Sequence, residues 1–312
     1  MCLFAFQFHT VQKKMWDLRT WDGFLCGLHS VVFIAAIIVV LNTANTRNFR
    51  VPILTHYAEW DPDTGPVDST QELGLFPFAY VTCVVPLLSA IAHGFAYYSN
   101  KNKTYDKTNL FNTSRWIEYS FSSTLMFFLI CLLFAIYDIN TLIALSVMNA
   151  SVMFCGYMME QLNIGQSNVR WSPFLIGCFI ATIQWSQLYS TLSVTDDQMP
   201  FLIWIALGSY FYMFLLFPLN MFCFYMYDAE NSVSMFGKCC IFPLPIFYIL
   251  RGAFRYFQNG LQDKTGYKLI PDQNKIKKFE NHEKVYMILS LTSKNLLLWL
   301  IIFGVNQPSV YT

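Results

Sequence analysis

The chain has little charge. Asp, Glu, Lys and Arg make up 12% of its 312 residues, against 55% hydrophobic and 18% aromatic residues. A soluble domain carries about 25% charged residues, so this composition excludes an ordinary soluble globule and points to an integral membrane protein. The patterns on which most enzymes and metal proteins rest are missing too. There is no catalytic triad, phosphate-binding loop or His/Cys cluster, and the nine cysteines include no CxxC pair. Neither an enzyme nor a metal centre is expected. A net charge of +1 gives no reason to expect nucleic acid as a partner. Met1–Thr10 lacks a basic start, so no cleavable leader is expected and the first apolar run serves as the anchor.

What is present is a series of apolar runs, each about long enough to cross a bilayer. Seven stand out: about Phe24–Leu41, Leu75–Tyr98, a third ending near Tyr137, Thr141–Leu162, Pro173–Leu192, Pro200–Tyr227 and Val285–Phe303. The expected fold is an all-α membrane protein, a seven-transmembrane-helix bundle forming one domain over residues 1–312. Pro86 and Pro218 fall inside runs, where packed membrane helices tolerate them as kinks. A β-hairpin is possible in the connection 42–74, starting from Arg50-Val-Pro-Ile-Leu-Thr-His56.

Connection charges set the orientation. Lys13, Lys14 and Arg19 precede the first run, and the connection after it carries Glu59, Asp61, Asp63, Asp68 and Glu72. Lys101, Lys103, Lys107 and Arg115 lie between runs two and three, and six lysines from Lys264 to Lys284 precede run seven. Every basic connection falls on one side, so the amino terminus is expected in the cytoplasm and the carboxyl terminus outside. The long connection 228–284 contains Cys239–Phe257, apolar but with Arg251 and Arg255, which reads as an amphipathic segment lying on the membrane surface.

Run seven has one formal charge, Lys294, at its middle. An ammonium there costs about 2.5–3.5 kcal/mol on insertion scales. Such a lysine either pairs with an acid or becomes an imine on a carbonyl cofactor. Asp138 and Glu160 lie at run ends, where head groups and water would solvate them; Glu118 lies deeper. With helix starts at Leu110 and Val285, Glu118 and Lys294 come level within a turn. Ser290, four residues before Lys294, shares its face and is expected to donate to the same carboxylate. His29 and His93 fall in the cytoplasmic half with Glu118, which suggests a polar cavity with a mobile proton.

These residues resemble the heliorhodopsins, retinal proteins of inverted orientation. The matches are Arg115-Trp-Ile-Glu-Tyr-Ser-Phe-Ser-Ser-Thr-Leu-Met126, Asn149-Ala-Ser-Val-Met-Phe-Cys-Gly156 and Tyr286-Met-Ile-Leu-Ser-Leu-Thr-Ser-Lys294, with the acidic connection after run one. The resemblance implies all-trans retinal held as a Schiff base on Lys294, with Glu118 as counterion and Ser290 beside it. It further implies polar pocket positions at Ser123 and Asn149, Trp185 and Phe214 along the polyene, and a proton-accepting cavity at His29 and His93. A homodimer in membrane lipid and a cytoplasmic signalling partner belong to the same implication. Gln184 stands where the family usually has proline, and the stretch Met213–Asn220 lacks an asparagine frequent in that family. The function expected is light sensing. The alternatives are light-gated proton or cation transport, drawing on Gln184, Ser186, Gln187 and Tyr189, and a light-independent receptor or transporter with an ion-paired Lys294.

Overall fold

The computed structural model describes residues 17–99, 110–164, 166, 169–192, 201–226 and 273–305. The surface segment Cys239–Phe257, Lys101–Lys107, Lys264 and Lys268 lie outside the described residues. In chain order the elements are α1 (Leu18–Asn42), α2 (Ala44–Asn48), β1 (Val51–Asp61), β2 (Gly65–Phe76), α3 (Phe78–Ser99), α4 (Thr113–Leu133), α5 (Ile139–Leu162), α6 (Ser172–Leu192), α7 (Phe201–Met226) and α8 (Gln273–Val305). Six of the seven long helices have the length and apolarity to cross a membrane. The exception, α6, is diluted by Gln184, Ser186, Gln187, Ser190 and Thr191.

Short polar side chains start several of these helices. Asp17 accepts from the Thr20 amide at α1, Asn112 from the Arg115 amide at α4, and Asp138 from the Thr141 amide at α5. Each satisfies a backbone donor that has no partner within its helix. α3 and α7 run unbroken through Pro86 and Pro218. Two starts differ from expectation. α4 begins at Thr113, because Leu110 takes a positive φ outside the helix. α8 begins at Gln273, twelve residues before Val285, so Lys275 to Lys284 ride on the helix rather than in a connection.

β1 and β2 form an antiparallel two-stranded sheet between α1 and α3. Asp61 Oδ1 accepts from the amides of Asp63 and Thr64, and Gly65 supplies the positive φ that the turn needs. These bonds hold the exposed Asp61 carboxyl below its usual range. At the sheet's base the Leu54 amide donates to Tyr137 O at 2.9 Å, which ties the hairpin to the α4–α5 turn. That end of the bundle is apolar: Phe127, Leu129, Ile130, Phe134, Leu142 and Leu188 are all buried there. α8 packs against α1, α3 and α7, while α3, α4, α5 and α6 follow one another round the bundle. α6 meets α7 through rings, with Trp185 against Tyr210, Phe211 and Phe214.

Candidate functional site

Lys294, on α8, is 3% exposed. Its Nζ donates to Glu118 Oε1 and, at 2.6 Å, to Ser89 Oγ. The Ser89 hydroxyl donates to the same Glu118 oxygen at 2.9 Å. Three helices, α3, α4 and α8, therefore close one hydrogen-bonded triangle. Counting from helix ends does not predict it, since Glu118 lies five residues from Thr113 and Lys294 twenty-one from Gln273. The two groups meet because α8 projects past the start of α4, not because their helices begin level.

Ser89 was missing from the sequence reading, and it takes the position expected of Ser290. Ser290 Oγ is buried beside the Tyr119 phenol, and the expected donation to Glu118 is not made. The signal for Ser89 was available: it precedes His93 by four residues and so shares its face of α3.

A cavity opens from Lys294 between α4, α5, α6, α7 and α8, enclosing with its mouth about 930 Å³. Ser290, Ser123 and Phe214 lie on its wall, together with Trp116, Tyr119 and Tyr210. Asn149 and Trp185 stand one layer back. Asn149 Nδ2 donates to Ser123 Oγ at 2.6 Å, and the Trp185 ring packs on Phe214 with centroids 5.5 Å apart. Gln184 joins this layer, donating to Leu145 O and Asn149 Oδ1, and α6 continues through it. Gly156 keeps the wall open near Trp116, since a Cβ there would run into that ring.

His29 and His93 come together, their rings stacked 5.7 Å apart at 10°. His29 is fully buried and neither ring nitrogen has a hydrogen-bond partner; it lies close enough to Lys294, Glu118 and His93 to feel their charges. His93 Nδ1 sits 2.9 Å from Asp22 Oδ1. Asp22 lies outside the apolar run Phe24–Leu41 but inside α1, which begins at Leu18.

Glu160 corrects a second expectation. It is buried rather than solvated by head groups, and pairs with Arg115 while accepting from Trp116 Nε1 at 2.8 Å. Arg115 also pairs with Glu283, which accepts from Asn112 Nδ2 at 2.7 Å. Tyr286 covers the guanidinium, 4.3 Å from ring centroid to Cζ. Isolated buried charge is expensive, and this arrangement removes the isolation. Ser186 and Gln187, by contrast, lie on the exposed side of α6, while Gln184 points inward; they form no common path.

The heliorhodopsin family model matches residues 18–238. The stretch takes in Ser89, Glu118 and both histidines and ends before α8. No curated protein matches the chain. The chain belongs to the heliorhodopsin family, a family of retinal-binding, rhodopsin-like membrane proteins, and is an integral, multi-pass membrane protein.

Proposed function

We propose that the chain is a light sensor of the heliorhodopsin type, with retinal attached at Lys294 as a Schiff base and Glu118 as its counterion. The residues fit that group. A buried primary amine stands on the wall of a cavity lined by Trp116, Tyr119, Tyr210, Phe214 and Phe217, the apolar, aromatic lining with a few polar groups that small-ligand sites show. Bound there, retinal supplies a light-driven change of shape and of charge distribution at the attachment point. The Glu118 carboxylate holds the proton on the Lys294 nitrogen in the dark, and Ser89 fixes that carboxylate by donating to it. Burial excludes water, so a change in the pair is felt by neighbouring helices rather than screened.

One observation carries the choice of sensing over transport. Among the described residues, the buried carboxylates other than Glu118 are Asp22, Glu160 and Glu283, and all lie toward the end where α4 begins. The hairpin end has an apolar core instead. A pump needs acceptors along both halves of its path. Among the described residues, a displaced proton has buried acceptors on one side only.

With the basic connections on the cytoplasmic side, that polar end faces the cytoplasm, the hairpin lies outside, and α6 is the seventh span of a single seven-helix domain. The dimer and the cytoplasmic signalling partner belong to the same proposal. The test is to add all-trans retinal to the purified apoprotein. A visible absorption band should form and Lys294→Ala should abolish it; no band with the wild type would overturn the reading.

A further inference from the structure

Asp22 lies seven residues before His29 on α1, two turns away, so both side chains share one helix face. Its carboxylate is 2% exposed and meets Nδ1 of His93. The surroundings of the pair are built. One turn earlier, Arg19 lays its guanidinium 4.6 Å over the Tyr97 ring, and its Nε donates to Tyr97 O at 3.3 Å. The same ring rests on Gly23, where a Cβ would come within 3.0 Å of it. A tyrosine one turn beyond His93 thus closes down on the residue next to Asp22. The ionisable groups facing the two imidazoles are Asp22 from α1, Glu118 from α4 and Lys294 from α8.

We propose that Asp22 is the positioning residue of a carboxylate–imidazole dyad, which takes up and holds the proton displaced from Lys294; this rests on the photoreceptor reading above. In the dark the carboxylate accepts the Nδ1–H of His93, which leaves Nε2 with a free lone pair. A proton leaving the Lys294 nitrogen breaks its N–H bond there and forms a new one at Nε2 of His93. Lys294 ends neutral and His93 cationic beside the Asp22 carboxylate. The return step is the reverse, and no proton leaves the protein. His29 stacks on His93 with both nitrogens unpartnered, which suits a site of passage. Of the two rings it is His93 whose nitrogen meets a carboxylate, Asp22 Oδ1 at 2.9 Å, so a cation formed there is paired as it forms. The proton therefore rests on His93.

Protein labelled with ¹⁵N-histidine and carrying Asp22→Asn or Asp22→Glu tests this in two ways. In the dark, without retinal, the ¹⁵N signals of wild-type His93 should show the Nδ1–H tautomer. Asp22→Asn should lose that preference and Asp22→Glu should keep it. With retinal bound, flash spectroscopy should show the proton-accepting state decaying at least about tenfold faster in Asp22→Asn, and near the wild-type rate in Asp22→Glu. A dark band at the wild-type position in each variant verifies the fold. An unchanged tautomer and decay in Asp22→Asn would overturn the proposal. Failure of the photoreceptor reading looks different, since no band then forms even in the wild type.

Discussion

The two ends of the bundle solve the same packing problem with different chemistry. Toward the start of α4, Arg115 is buried between Glu160 and Glu283, with Asn112, Trp116 and Tyr286 completing its shell. Beside the hairpin, Phe127, Leu129, Ile130 and their neighbours fill the equivalent space with no ionised group in the cluster. Buried ion pairs are seldom more stable than well-packed apolar groups of the same size. The polar end is therefore not explained by stability. It makes sense as machinery for moving charge, placed on one side of Lys294.

Substitutions at the two ends should separate these roles. Arg115→Ala leaves two carboxylates buried without their cation, and should cost about 3–5 kcal/mol in thermal or denaturant unfolding while changing the proton-transfer phases of the photocycle. Phe127→Ala should cost a similar 3–5 kcal/mol through the void it leaves. Its photocycle in the folded fraction should stay as in the wild type. If both variants alter proton transfer equally, the division of labour is wrong. At the boundary between the ends, Ser89→Ala removes a hydroxyl that bonds both members of the central pair. About 1.5–3 kcal/mol of stability and a shift of the visible band are expected.

Much of this was legible in the sequence, and the omissions have physical causes. A lysine in mid-helix and a glutamate in an apolar run were visible because each breaks a hydrophobic pattern. Ser89 was not, because a serine in a membrane helix usually bonds back to its own backbone, as Ser89 also does to Val85 O. Asp22, Glu160 and Glu283 lie near the ends of apolar runs, where sequence alone suggests contact with head groups. Their burial depends on α1 starting six residues before the apolar run and α8 twelve residues before its own. Polar residues extended those helices past the hydropathy signal. The hairpin was readable only in part: residues 50–56 pointed to β1, whereas β2 is fixed by its pairing with β1.

The smallest effect expected is at the hairpin end. Asp138 caps α5 and accepts from the amide and hydroxyl of Thr141 at 2.8 and 2.7 Å. Burial alone would raise its carboxyl; the hydrogen bonds outweigh that and hold it below the usual range. A depressed carboxyl contributes stability above its unfolded pKa of about 3.9, and loses it as pH falls through the lower folded value. Asp138→Ala should cost about 1 kcal/mol at neutral pH, and the difference from wild type should shrink below about pH 4. The visible band should not move.

The most direct test is the photocurrent of retinal-loaded protein under voltage clamp and continuous light. A proton confined to the side of His29, His93 and Asp22 gives at most a brief charge displacement at light onset, with no steady current at any voltage. A sustained current that Glu118→Gln removes would mean that a route also exists through the apolar end, and the one-sided account would be contradicted.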